Sequence, residues 1–128
     1  MKLLLDTHTF VWWNSNPAKL STRVLQLCQD RENIVLFSVV SAWEMQIKLQ
    51  LGKLKLGLPL SEVIESQRQT NNVQVLPITL AHVLALQNLP AHHKDPFDRL
   101  LIAQANEENA VLLSGDSVFA KYSVELIW

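Results

Sequence analysis

Asp6, Glu44, Asp98 and Asp116 are the side chains of this sequence best placed to act together. Asp6 directly follows the apolar run Leu3–Leu4–Leu5, and Asp116 follows Val111–Leu112–Leu113 by the turn Ser114–Gly115. Both are expected to project from the carboxyl edge of a sheet. Glu44 lies one turn into a helical pattern, and Asp98 lies in the first turn of another, just after Asp95 and Pro96. Clustered carboxylates with no cation repel one another and drive their pKa values upward. Hard divalent ions such as Mg²⁺ and Mn²⁺ want oxygen donors, and Mg²⁺ usually takes a few carboxylates plus water and substrate phosphate. Together the acids read as a cation site.

Each acid also has a structural reading. An Asp after a strand commonly caps the next helix, which would serve for Asp6 or Asp116 alone. Ser41–Ala42–Trp43–Glu44 fits a capping box, in which the carboxylate satisfies a free backbone N–H. Lys48, four residues on, is in the favourable order for an ion pair with Glu44. Asp98 suits the dipole at a helix start, yet Asp95 already fills the cap position. Asp98 shares a helix stripe with the apolar Ile102 and Ala105, where a carboxylate is costly unless paired or metal-bound.

Other chemistries find no footing. There is no cysteine pair or His-x-x-x-His spacing for zinc, no Gly-rich phosphate loop and no Gly-x-Ser-x-Gly elbow. His92 and His93 are adjacent and are expected to diverge in structural roles, and Cys28, mid-helix among apolar residues, is expected in the core.

The elements that must position the acids alternate. Strands are expected at Lys2–Leu5, Ile34–Phe37, Val73–Leu76, Val111–Ser114 and Val124–Ile127. Helical patterns cover Ser21–Arg31, Ser38–Leu51, Leu60–Thr70, Thr79–Asn88 and Pro96–Glu108, with one short turn at Phe10–Trp13. Strands apolar throughout and separated by helices indicate a mostly parallel sheet covered on both faces, a three-layer α/β/α sandwich. In such sheets ligands bind outside the carboxyl ends of the strands.

At 128 residues the chain has room for one domain, taken as 1–128. Its 48% hydrophobic and 18% charged residues fit a packed globule. The single cysteine excludes an internal disulfide and suits a cytoplasmic setting. The longest largely apolar run, Ile34–Trp43, falls short of the ~20 residues that span a bilayer, so no membrane is expected. With 11 Lys and Arg against 12 Asp and Glu, the net charge is −1. Tight, non-specific nucleic-acid binding by such a chain would need charge from a metal or a partner.

Four segments resemble PIN-domain proteins, closest in pattern to the VapC-type toxins of bacterial toxin–antitoxin pairs. They are Leu3-Leu4-Leu5-Asp6-Thr7-His8, Ser41-Ala42-Trp43-Glu44-Met45-Gln46-Ile47-Lys48, His92-His93-Lys94-Asp95-Pro96-Phe97-Asp98-Arg99 and Leu113-Ser114-Gly115-Asp116. The similarity covers essentially the whole chain, and the third segment is the most specific. It implies a PIN-like fold and an endoribonuclease that uses Mg²⁺ (or Mn²⁺) on RNA. It also implies a homodimer silenced by a cognate antitoxin, and products bearing 5′-phosphate and 3′-hydroxyl ends. The family's acids fall on Asp6, Glu44, Asp98 and Asp116 as catalytic and metal-binding residues. Ser114 stands where many relatives have threonine, and Gly115 where asparagine is frequent.

Around those acids, Thr7 and Ser114 are candidates to support the ligands, and Lys48 and Arg99 to hold a phosphate, or else to pair with neighbouring acids. Lys53 and Lys55 form either an RNA-facing edge or a solvated turn. Phe10, Trp12 and Trp13 are expected mainly in the core, with any exposed member a candidate anchor for a dimer or antitoxin. Two rival readings stand beside the nuclease: a non-catalytic PIN-like module that binds RNA or protein, and a Mg-dependent phosphatase. The phosphatase motif wants a second Asp where this chain has His8.

Overall fold

Three apolar runs dictate the centre of the molecule. The computed structural model, which describes residues 1–128, places them side by side in a five-stranded sheet of order β3-β2-β1-β4-β5. β1 is Lys2–Leu5, β2 Ile34–Ser38, β3 Gln74–Leu76, β4 Val111–Leu113 and β5 Leu126–Ile127. Every ladder is parallel, and Leu4 aligns with Leu36 on one side and Leu112 on the other.

That register sorts the layers, because successive side chains of a strand point to opposite faces. Leu3, Leu5, Val35, Phe37, Val111 and Leu113 share one face. There they meet Phe10 and Trp13 of α1 (Thr7–Ser15), Val24 and Cys28 of α2 (Thr22–Gln29), Met45 of α3 (Val39–Gln50) and Val63 of α4 (Leu60–Asn71). Leu4, Leu36 and Leu112 face the other way, onto Leu100, Leu101, Ile102 and Ala105 of α6 (Pro96–Glu107). The short α5 (Leu80–Ala85) packs against α6. The three-layer α/β/α arrangement expected from the apolar strands is the one observed.

Element ends differ where capping decides them. α1 runs Thr7–Ser15 rather than the single turn expected, because the Asp6 carboxylate accepts the Thr9 N–H at 2.8 Å and starts the helix early. α3 is capped by Ser38, whose hydroxyl accepts the Val40 N–H at 3.0 Å. Ser41 is therefore inside the helix, and the capping box expected for Glu44 does not form. β5 is only Leu126–Ile127, shorter than the four residues expected. Cys28 lies in the core, and burial pushes its thiol up to about 12. No helix is long and apolar enough to cross a membrane.

Buried polar groups join α6 to its neighbours. Gln104, with no exposed surface, accepts the Ser38 hydroxyl and donates to the Pro77 carbonyl at 3.3 Å. His82 Nδ1 receives the Thr79 N–H at 3.0 Å, so Nε2 carries the proton and donates to Glu108 Oε2 at 2.9 Å. That hydrogen bond, assisted by Lys2 at 3.6 Å, lowers the Glu108 pKa below its ordinary 4.5. A depressed carboxylate contributes stability that is present above its unfolded-state pKa and lost as pH falls through the folded value. Glu108→Gln is expected to flatten that acid limb, seen as a smaller fall in urea midpoint below pH 4.5 than wild type shows. An unchanged acid limb would remove the pair from the stability balance.

Candidate active site

The strand order places a topological switch between β1 and β4, from which the chain proceeds outward in both directions. The crevice at the carboxyl ends of such a strand pair is where open α/β sheets bind ligands. Asp6 leaves β1 at this crevice and Asp116 follows β4 there. α3 begins where β2 ends, bringing Glu44 to the same edge, and α6 starts there before descending to β4, bringing Asp98.

Asp6 is 5% exposed and is held from two sides. Oδ1 accepts the Thr9 N–H, and Oδ2 accepts the Ser114 hydroxyl at 2.5 Å. Ser114 Oγ in turn accepts the Asp116 N–H at 3.0 Å, so one hydroxyl ties both strand-end aspartates together. Asp116 is exposed and caps the 3₁₀ turn Ser117–Lys121 through the Val118 N–H. Glu44 is buried, accepts the Thr7 hydroxyl at 2.6 Å, and lies 2.9 Å from the Lys48 ammonium. Of the two lysine readings, the ion pair is the one formed.

Asp98, the third residue of α6, is half-buried, with Asp95 capping the helix through the Phe97 and Asp98 N–H groups. Burial, then the nearby Asp95 carboxylate, push the Asp98 pKa up to about 6, and Glu44 adds to the rise. A hydrogen bond from His93 Nε2, at 3.4 Å, opposes it. His93 Nδ1 also lies 2.6 Å from the Tyr122 hydroxyl, and the His92 ring meets the same tyrosine edge-on. The two histidines therefore converge on Tyr122 instead of diverging. Arg99 makes no pair with an acid; it donates to the Pro90 carbonyl at 2.8 Å and to Tyr122 at 3.3 Å, pinning the loop before α6.

The four acids reach one edge but do not close on one another. No three Asp, Glu, His or Cys side chains stand at a spacing that would share an ion; Glu44 contacts Thr7 and Lys48, and Asp98 contacts His93. The donor set still suits a hard divalent cation: it is all oxygen, and Asp98 and Glu44 are near enough for each to oppose the other's charge. Asp6 and Asp116 open together on a cleft of about 390 Å³ lined by His8, Trp12, Lys19, Gly115 and Trp128.

The PIN domain model matches residues 3–125 of this chain. The chain belongs to the PIN domain family. This PIN domain is 27% identical over 115 residues to ribonuclease VapC22 of Mycobacterium tuberculosis, an overlap of 89% of this chain and 86% of the relative. Its fold superposes with a TM-score of 0.75 on a chain of VapBC2 from Rickettsia felis, solved bound to a promoter DNA fragment, at 16% identity and over 99% and 98% of the two chains. VapBC-1 from nontypeable Haemophilus influenzae gives a TM-score of 0.62 at 20% identity over 99% and 97%.

Sequence reasoning gave His93 only a structural role and passed over Tyr122, Lys19 and Trp128. His93 and Tyr122 meet across 29 residues, a pairing that no local spacing announces. Phe10 and Trp13 are buried and offer no anchor, whereas Trp12 reaches the cleft. Lys53 and Lys55 sit exposed on a turn anchored by the half-buried Leu54 and Leu56.

The Ser114 hydroxyl has a measurable load. Hydrogen bonds to charged groups contribute about 1.5–3 kcal/mol, so Ser114→Ala is expected to lower unfolding free energy by about that amount in urea, while Ser114→Thr, which keeps the donor, loses less. Equal losses in both variants would place the cost in packing.

Proposed function

We propose that this PIN domain is a divalent-metal-dependent endoribonuclease, the toxin of a toxin–antitoxin pair. The observation that carries the reading is the meeting of Asp6 and Asp116 on one cleft at the β1/β4 switch point, with Glu44 bonded to Thr7 beside Asp6 and close enough to Asp98 to raise its pKa. The ribonuclease VapC22 is a relative across most of the chain, and it supplies the substrate class.

Asp6, Asp98 and Asp116 would hold the Mg²⁺ or Mn²⁺ ion, with Glu44 holding a second ion or orienting the attacking water. A bound divalent ion lowers the pKa of its water and stabilises charge on the phosphate. The chain's own residues prepare that step. Ser114 fixes Asp6 Oδ2 and the Asp116 backbone, and Thr7 fixes Glu44 Oε1. Lys48 pairs with Glu44 Oε2 and would also meet an RNA phosphate bound beside it. Attack by water on phosphorus breaks the P–O3′ bond, so the departing strand keeps a 3′-hydroxyl and the other end a 5′-phosphate.

The reading includes a cytoplasmic setting, a homodimer and a cognate antitoxin that silences the site. Apolar surface for partners exists: Trp43 on α3 is 56% exposed, and Leu80 and Leu84 on α5 are 72% and 56% exposed. A non-catalytic PIN-like module that binds RNA or protein is the second reading, favoured by the wide spacing of the acids.

Purified chain free of antitoxin, incubated with labelled total RNA, is expected to give discrete cuts with Mg²⁺ or Mn²⁺ and none with EDTA. Asp98→Ala should lose the cuts by at least a hundredfold (roughly the loss on removing an electrostatic catalytic group), and Mn²⁺ should raise the melting temperature of wild type but not of Asp6→Ala. Folded protein that neither cuts RNA nor gains thermal stability from either ion would leave the binding module.

A further inference from the structure

The cleft beside Asp6 and Asp116 has walls that carboxylate chemistry does not require. Trp12 stands edge-on to Trp128, centroids 6.0 Å apart at 60°. His8 stacks on Trp12 at 5.7 Å and 22°, and Lys19 Nζ lies 5.6 Å from the Trp12 ring centre. Lys19 is the only Lys or Arg of the lining. The Trp128 indole lies down on Gly115, where an added Cβ would meet its Cε2 at 2.8 Å. Any side chain at position 115 must lift the indole. The glycine thus permits an aromatic platform beside Asp116.

We propose that this cleft is a nucleobase subsite, and the inference rests on the nuclease reading above. It takes the base of a nucleotide next to the scissile phosphate in a single RNA strand. The base stacks on Trp128, Trp12 closes the side, and Lys19 meets the neighbouring phosphate. An indole face offers a stacking surface for a flat π-system, and every base has a π-face. The volume of about 390 Å³ falls within the range of small-molecule sites, ample for one nucleoside. Adjacency to the two strand-end aspartates places a base held here one nucleotide link from the phosphate they would serve.

The test titrates the full chain in EDTA with uridine and adenosine 5′-monophosphates, using ribose 5-phosphate as the base-free probe, and reads binding by calorimetry. The nucleotides should bind measurably better than ribose 5-phosphate. Trp128→Ala and Gly115→Ala should each weaken them about 5- to 150-fold, the range of one lost base–aromatic stack, with Trp128→Phe recovering most of the affinity. On single-stranded oligonucleotides with Mn²⁺, Trp128→Ala should raise KM and flatten the base preference at one position flanking the cut. Equal binding of ribose 5-phosphate, or no effect of either substitution in folded protein, would overturn the subsite. Cleavage with unchanged KM and base preference in Trp128→Ala would sink the subsite and leave the nuclease standing. Trp128-dependent nucleotide binding with no cleavage would do the reverse. Folded protein that binds no nucleotide, with Trp128 shielded on self-association, would assign the surface to a protein and overturn the proposal.

Discussion

A carboxylate taken out of water must be hydrogen-bonded, and Asp6 is where this chain meets that requirement. Its two oxygens take a backbone N–H from the next helix and a hydroxyl from the end of β4. The first bond begins α1, which covers one face of the sheet. The second ties β1 to the turn after β4, where Ser114 also receives the Asp116 N–H. Thr9 repeats the tie by donating its hydroxyl to the Leu113 carbonyl at 3.0 Å. A single buried acid therefore sets helix, strand pairing and site geometry together.

The sheet makes this arrangement possible. Because β1 is central and apolar from Leu3 to Leu5, both its faces are spent on packing, and chemistry can appear only at its end. Leu3, Leu4 and Leu5 have no exposed surface, and the next residue is the aspartate. The same division recurs on β4, where Val111 to Leu113 are buried, Ser114 supports, and Asp116 is open to solvent. Rigid strands give the acids fixed origins, and helix starts give Glu44 and Asp98 fixed approach directions. Packing decides where the site is; hydroxyls decide how each carboxylate is held.

Much of this was legible in the residues because the signals are local. Apolar runs of three or four residues ending in a polar residue define β1, β2 and β4, and Asp95–Pro96 marks the start of α6 as the structure has it. The meeting of the acids at one edge followed from parallel-sheet topology. What stayed hidden depends on long-range contacts. Ser38 beat Ser41 to the cap of α3 because it ends β2, facing Gln104 across 66 residues. Arg99 beside Asp98 looked like an ion-pair partner, yet carbonyls of the loop before α6 claimed it. Gly115 read only as a departure from a family pattern until Trp128 was found lying on it.

The partners of the four acids follow from the electrostatics of carboxylates held at one sheet edge. Like charges held at one sheet edge are costly unless each finds a partner, and the chain provides some. Glu44 finds an ammonium and a hydroxyl, Asp6 a hydroxyl and an amide, and Asp98 a histidine that only partly offsets its burial. Asp98 is thus an acid whose burial its partners do not fully offset. It is also mounted on the rigid first turn of a helix whose next turns are locked in the core, so it has little backbone freedom with which to escape. A site built this way keeps its strain on one carboxylate and its order on the others. A divalent cation held beside Asp98 would favour its charged form against burial and the Asp95 charge.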